Sequence, residues 1–482
     1  MTLQDQTQYE AIIFGFGVLF IWDPPKDAVI SPGLLKSILS SPLWHDYEQG
    51  KLAEDDCYDL LATQFHMQTS DIACTFSQGR QSLVINPAVM SLLLEIRAAV
   101  PNIAVYTMSN IPKPHYTVLL RTHPEMSIFD QILPSGLHGA RKPQLQFDQN
   151  VLGEIGMSAE QIIYIDDQLE NVTSAQSIGM HGILYTQPSL LSQHVKSLML
   201  DPVQRGMDYL RRHAKKLHST TDTGQPIWEN FSQLLILEAT GDETLVSLEH
   251  HESTWNFFQG TPCFTTSTFP DDLDTTSLAW LTLPAPKTII DPLLDRMTTL
   301  VNSDGIFTTY FTPSRPRTDP IVCTNILRLF HKYHRGTDPA LQPTLTYIHN
   351  TLTHRTYLLG TRYYTSPESF LYPLSQLCQH PNPTLQPIRE TLIERLRERI
   401  NVKTDALSLA MRILACLDMG FSRNEVAREV EVLVGMQCED GSWPGGCFCR
   451  YGGSQVGVWN RGVSTGVVGR AVRRYQRWGV DT

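Results

Sequence analysis

Over the first two hundred residues, short continuous apolar runs alternate with stretches of helical spacing. The runs at 11–14 (AIIF), 103–107 (IAVYT), 162–165 (IIYI) and 182–185 (GILY) predict strands covered on both faces. Between them, residues 86–100 carry Val89, Leu92, Leu93, Leu94 and Ile96 as an apolar stripe, which predicts a helix. Strands and helices alternating in this way predict a parallel α/β sheet. The stretch 205–224 is polar and basic, then turn-rich, and 206–224 is expected to be a linker between domains 1–205 and 225–482.

Beyond residue 225 the strand signal fades and helical spacing takes over. Segments 390–400 and 405–417 carry apolar residues at helical intervals, and Ser422-Arg423-Asn424-Glu425 has the form of a capping box. A weak repeat recurs: a helix ending at Leu300-Val301 precedes Asp304-Gly305-Ile306-Phe307, and one ending near Val434 precedes Asp440-Gly441-Ser442-Trp443. Helix, Asp-Gly turn, then aromatic predicts stacked helical hairpins closing into an all-α α/α barrel.

Composition narrows the class. With 482 residues, two domains are expected, and 41% hydrophobic with 18% charged residues is ordinary for a globular protein. A net charge of −11 argues against nucleic acid or an anionic membrane as partner, so an anionic substrate would need a local basic pocket. No stretch approaches the ~20 apolar residues of a membrane span, and the run 11–22 lacks the basic flank of a signal peptide. Nine scattered cysteines give no disulfide framework, and a cytoplasmic location is expected. Cys438, Cys447 and Cys449 lack the fourth spaced ligand of a zinc site.

Four features of the first half fall in one order. A strand runs into the turn GFGVLF; a second ends in Met108-Ser109-Asn110; Lys142-Pro143 follows; a third ends in Asp166-Asp167, with Asn171 one turn on. All lie where strand ends meet loops, the ligand side of an open α/β sheet. The order resembles the haloacid dehalogenase-like hydrolases, whose fold is Rossmannoid. By that resemblance Ser109 would take phosphate, Lys142 would assist it, and Asp166 and Asp167 would hold magnesium. In that family the first strand ends in a nucleophilic Asp, usually with an acid/base Asp two residues later. Here Gly15 follows Phe14, so no aspartyl-phosphate can form and the domain is expected to be phosphatase-inactive. The next carboxylate, Asp23, reads as a loop residue.

The second half carries Asp271-Asp272-Leu273-Asp274-Thr275-Thr276 ahead of an apolar helical run. Read alone, such a string is better explained as an acidic, Thr-containing turn that caps a helix. Protonating an alkene, however, needs a carboxylic acid held protonated in a dry cavity, and a neighbouring carboxylate can push the two pKa values apart. The string DLDTT resembles the acidic DxDTT motif of class II terpene cyclases. Three further segments resemble the same family: Gln437-Cys438-Glu439-Asp440-Gly441-Ser442-Trp443 as a Q-x-x-x-G-x-W turn, GTRYYTSPESFLYPLSQL (360–377), and WNRGVSTG (459–466). Together with the first-half resemblance, the arrangement is similar to drimane-type sesquiterpene cyclases.

The resemblance implies farnesyl diphosphate as substrate, magnesium as cofactor, and a bicyclic drimenyl or albicanyl diphosphate as product. Asp274 would be the general acid, Asp272 would tune it, and Thr275 and Thr276 would support it by hydrogen bonds. Arg461 with Asn460, inside the matched segment, would bind the diphosphate. Trp255, Phe258, Tyr310, Phe311, Tyr363, Tyr364, Trp443 and Trp459 are candidates for stabilising carbocations, although core packing explains each one singly. Without the first-strand Asp, a separate phosphatase would release the alcohol. Two rival readings stay open, a bifunctional cyclase/phosphatase and a noncatalytic scaffold.

Overall fold

The computed structural model describes residues 9–22 and 29–478, so Asp23 lies outside the described residues. The chain divides into two compact units between Leu200 and Asp201.

The first unit is built on a five-stranded parallel sheet. Its strands are β1 (Ala11–Gly15), β2 (Ala104–Ser109), β3 (Gln131–Pro134), β4 (Ile162–Asp166) and β5 (His181–Leu184), in spatial order β3-β2-β1-β4-β5. β1 lies at the centre with all five residues buried, as its apolar run predicts. The short edge strand β3 (QILP) has no long apolar run and was not anticipated. The predicted helix is present over Pro87–Ala99, capped by the Asn86 side chain on the Ala88 N–H, and it buries Val89, Leu92, Leu93 and Ile96. Leu94 is 58% exposed, because one step past Leu93 turns it about 100° off the buried stripe. A hairpin of Phe20–Trp22 with Leu83–Ile85 brackets a four-helix insertion: Pro32–Leu39, Pro42–Glu48, Glu54–Phe65 and Thr69–Gln81. The insertion has its own core, in which Trp44 stacks on Phe76 at 4.2 Å.

The second unit is a barrel with an inner ring of six helices. These are α1 (Asn230–Thr240), α2 (Leu273–Thr282), α3 (Pro320–Lys332), α4 (Glu368–Leu377), α5 (Ala406–Asp418) and α6 (Arg461–Arg477). Each packs on the next, and α6 packs on α1, so the ring closes. α2, α3 and α5 are buried nearly all round, which suits helices enclosed by an outer layer. The outer helices include Gln342–Thr353, Gln386–Arg399 and Arg423–Gly435, the last opened by the predicted Ser422/Glu425 capping box. Gly462 lets α6 approach α1, since a Cβ there would lie 2.9 Å from Ile236 Cδ1.

The segment 206–224 is not a linker. It completes the helix Pro202–Arg212, which packs on α6, and supplies strand Ser219–Thr221. That strand belongs to a four-stranded antiparallel sheet with Pro226–Ile227, Gly457–Asn460 and Gly446–Arg450, an addition to the all-helical expectation. Its partner strand lies more than two hundred residues away, so local polarity alone gave no sign of it.

The Asp-Gly-aromatic repeat is structural. Gly305 and Gly441 both have positive φ (76° and 90°), and Phe307 and Trp443 are fully buried. The Trp443 indole donates to the Leu433 carbonyl at 2.7 Å, which satisfies the end of an outer helix. Trp443→Ala is expected to cost about 3–5 kcal/mol, measured by denaturant unfolding of the full chain; a cost below about 1 kcal/mol would contradict this packing role.

Candidate active site

Asp272 is the N-cap of α2. Its Oδ1 accepts from the Thr275 N–H at 2.6 Å and its Oδ2 from the Thr275 hydroxyl at 2.9 Å. Asp274 sits in the first turn of the same helix. Its Oδ1 accepts from Asn325 Nδ2 on α3 at 2.7 Å, and its Oδ2 accepts from the Tyr364 hydroxyl. Both carboxyls are buried, at 5% and 7% exposure. Thr275 supports the pair as expected, but Thr276 does not: its hydroxyl accepts from the Trp255 N–H at 2.8 Å and ties down the preceding loop.

Asn325 is held in turn. Arg328 Nη1 donates to Asn325 Oδ1 at 2.7 Å, and Arg328 is ion-paired with Glu238. A guanidinium can only donate, so the Asn325 oxygen must face Arg328 and its NH₂ must face Asp274. Burial, then the charge of Asp274, drives the Tyr364 hydroxyl well above its usual range, so it remains an O–H donor.

Burial pushes Asp272 up to about 8, with the charge of Asp274 adding to it. Burial also raises Asp274, to about 6, while its Tyr364 and Asn325 donors pull it back. Neighbouring carboxyls of this kind resist double ionisation, so the pair keeps one proton near neutrality.

The pair borders a cavity of about 370 Å³ whose walls are largely aromatic: Phe231, Phe257, Phe269, Tyr310, Tyr363 and Tyr451. Tyr310, Tyr363 and Tyr364 were expected there; Trp255, Phe258, Phe311, Trp443 and Trp459 do not line it. Toward solvent the lining becomes cationic. Arg315 and Arg450 are half-buried and Arg317 is exposed, beside the Gly452-Gly453-Ser454 hairpin loop. Arg315 donates to the Thr266 hydroxyl at 2.6 Å and Arg450 to the Thr361 carbonyl at 2.6 Å, so both are braced by neutral groups.

Arg461 and Asn460 do not line this cavity. Asn460 caps α6 through the Val463 N–H and donates to the Leu217 carbonyl and the Ser219 hydroxyl. Arg461 pairs with Asp440 at 3.0 Å and lies over the Tyr209 ring, serving the Q-x-x-x-G-x-W turn. Their partners are already protein groups, which corrects the expected diphosphate role. The residues missed were Arg315 and Arg317 in the stretch TPSRPRTD and Asn325 on α3. Two arginines around a proline just before a helix cap were the only sequence signal for the first pair.

In the first unit Asp166 and Lys142 lie beside Gly15, Asp167 lies beside Gly17, and Ser109 ends the neighbouring strand β2. Lys142 Nζ donates to Asp166 Oδ2 at 2.6 Å and Tyr164 to the same oxygen at 2.8 Å; Asn171 and the Gln168 N–H donate to Oδ1. A Cβ at Gly15 would lie 2.3 Å from Asp166 Oδ2, and one at Gly17 would lie 2.2 Å from Asp167 Oδ1. Gly17 stands two residues beyond Gly15, so both first-strand carboxylates are missing and later side chains fill their space. With four donors Asp166 has no lone pair left for a metal. Among the described residues no three His, Cys, Asp or Glu side chains are grouped to hold one. The expected magnesium site at Asp166 and Asp167 is therefore not supported by its donor set.

The family described as "Sesquiterpene cyclase astC-like C-terminal domain" matches residues 203–333. Drimenol cyclase drtB of Aspergillus calidoustus is 42% identical over 466 residues, 96% of this chain and 87% of that one. The chain belongs to the drimane-type sesquiterpene cyclases. It is a terpene cyclase enzyme with a haloacid dehalogenase-like first unit and a helical cyclase unit. That first unit is similar to sesquiterpene phosphatase astK of Aspergillus oryzae, 40% identical over 194 residues, which is 40% of this chain and 98% of that one. A solved haloacid dehalogenase family enzyme of Bacteroides thetaiotaomicron, in a magnesium complex, aligns with 37% of this chain and 94% of that one at TM-score 0.31 and 19% identity. Among the described residues no helix is long and apolar enough to cross a membrane.

A carboxyl whose pKa rises on folding binds its proton more tightly in the native state. Its stabilising contribution is present in acid and is lost as pH rises through the folded value. Activity that uses this proton should likewise fall along an alkaline limb between about 6 and about 8. Tyr364→Phe removes a donor to Asp274 and should move the limb up by roughly one to two pH units while lowering the plateau. An unmoved limb in a pH–rate profile would contradict the assignment.

Proposed function

We propose that this cyclase protonates the terminal double bond of farnesyl diphosphate with Asp274 and releases a bicyclic drimane-type diphosphate. The observation that carries this reading is the polarity of one cavity, with a dry carboxyl pair at its floor, aromatic walls, and arginines at its solvent side. A prenyl diphosphate has the matching polarity, with an alkene at one end and a polyanion at the other.

Of the two carboxyls, Asp274 carries the proton. Burial shifts Asp272 more strongly, which taken alone would leave the proton there. The N-terminus of α2 works against this, because the helix dipole favours an anion most strongly at the cap that Asp272 occupies. Asp272 is then the charged partner, and Asp274 holds the proton between two donors. Tyr364 and Asn325 stabilise the carboxylate left behind, which makes the buried acid a stronger donor. Arg328 and Glu238 act one step further back, as positioning residues for Asn325.

Proton addition to the terminal alkene leaves a tertiary cation. The two remaining double bonds supply electron pairs to close the rings, and loss of one proton ends the cascade, so the net change is an isomerisation. Aromatic faces stabilise the cation and exclude water. The C–O bond to diphosphate survives because that group is held by Arg315, Arg317 and Arg450, far from the acid end. Only arginines and neutral groups line that end, so magnesium belongs here to the substrate as counter-ion of its diphosphate. Retention of the diphosphate follows from Gly15 and Gly17, which leave the first unit without a nucleophile or an acid. The similarity to a protein named drimenol cyclase favours a second reading, in which the alcohol itself is released.

Incubation with farnesyl diphosphate, with products analysed before and after added phosphatase, separates these readings. The expected result is a bicyclic alcohol that appears only after phosphatase. Asp274→Asn should lower turnover by at least about 100-fold, and Arg450→Met should act mainly on KM. Alcohol without added phosphatase would overturn retention, and full activity of Asp274→Asn would overturn the acid.

A further inference from the structure

Building on Asp274 as the acid of the proposed cyclisation, we propose that it is reloaded through the Tyr364 hydroxyl, with a proton drawn from water in a second, polar chamber that meets the substrate cavity at Tyr364. All six ring helices contribute to the lining of this chamber. It measures about 40 Å³, more than the roughly 10–15 Å³ that one water needs. Tyr364 and Phe231 line both spaces, Asp272 and Asp274 line the substrate cavity alone, and Asn325 and Arg328 line the chamber alone. The chamber therefore meets the acid through its two donors, Tyr364 and Asn325.

Much of the polar lining is satisfied from within. Arg328 is ion-paired with Glu238, and Arg470 Nη1 donates to the Glu238 carbonyl at 3.0 Å. Gln376 Nε2 donates to the Tyr372 hydroxyl at 3.3 Å and to Glu238 Oε1 at 3.4 Å. Gln376 Oε1, in contrast, is buried and has no hydrogen-bond partner. A buried acceptor left in that state costs about 1–3 kcal/mol. Water in the chamber would satisfy it, with Tyr372 and Arg470 as further polar partners. Glu238, Gln376 and Arg470 are only half-buried, so the chamber reaches solvent beside them.

Each turnover takes the proton from Asp274, and the acid must regain one before the next substrate reacts. Water entering by the substrate cavity would quench the cation. An acid that is loaded by water yet dry toward carbon needs its water on another side, and the chamber supplies that side. As the Tyr364 O–H bond breaks and a new one forms on Asp274 Oδ2, the Tyr364 oxygen takes a proton from chamber water. The two transfers are concerted, so no tyrosinate forms, in keeping with a hydroxyl that burial holds well above its usual range. Chamber water recovers its proton from solvent, and solvent receives the one lost by the final cation, so the count closes over the cycle.

Rapid-quench product analysis of the full chain with farnesyl diphosphate and magnesium separates the first turnover from those that follow. Gln376→Leu removes the amide from the chamber, and Ser369→Leu, on the same lining, fills it. In both variants the first turnover should stay within about twofold of the unaltered chain, while later turnovers slow by at least about fivefold. The solvent deuterium isotope effect should grow on the slow phase alone, and Gln376→Asn, which keeps an amide, should restore the later turnovers. The amplitude of the first turnover counts folded, loaded enzyme, so a misfolded fraction is not mistaken for slow reloading. Equal slowing of both phases, as a merely structural role would give, or no slowing in either variant would overturn the relay and leave the cyclase reading standing. Absence of bicyclic product from the unaltered chain would overturn that reading, and the relay with it.

Discussion

The second unit is organised around a cost, that of keeping two carboxyls out of water on one turn of helix. Ionised together in a dry cavity they would repel and go unsolvated, which the fold could not sustain. Retaining one proton removes most of that cost. The surrounding groups follow from this arrangement. Thr275 completes the cap on Asp272, Tyr364 and Asn325 bracket Asp274, and Arg328, anchored by Glu238, fixes which way Asn325 faces. All of these but Glu238 are buried within the closed ring of six helices.

The first unit shows the same residue type driven the other way. Burial works to raise Asp166 as it does Asp274, but Lys142 and three further donors outweigh it and hold the carboxyl below its ordinary range. That ion pair closes the space in front of β1. The carboxylate beside a buried lysine lies below its ordinary range, whereas the carboxyl between two neutral donors stays above it, at about 6. The partners of each Asp, more than its depth, separate the two outcomes.

The features legible from sequence were those written in short contiguous strings. Four parallel strands announced themselves as apolar runs, the Asp-Gly-aromatic turns marked the helical hairpins, and DLDTT located the acid pair. The segment GTRYY brought Tyr364 to Asp274, though its sequence did not say which tyrosine would arrive. Harder to read were groups whose role depends on distant partners. Asn325 is one polar residue on an apolar helix, and its task exists only because Arg328 and Asp274 meet it in space. Arg461 stood in a matched motif, yet Asp440 claims it; Arg315 stood in no motif and reaches the cavity. The strand Ser219–Thr221 needed a partner more than two hundred residues on, which local composition cannot reveal.

The central claim is that the reaction begins with transfer of an enzyme-held proton to carbon. Turnover of farnesyl diphosphate in D₂O, followed by phosphatase and mass and NMR analysis, tests it most directly. The account predicts one deuterium per bicyclic product, on the ring methylene derived from the terminal alkene, since the buried acid exchanges with solvent between turnovers. A product with no deuterium at that carbon would mean the cation arises by ionisation and would contradict the account.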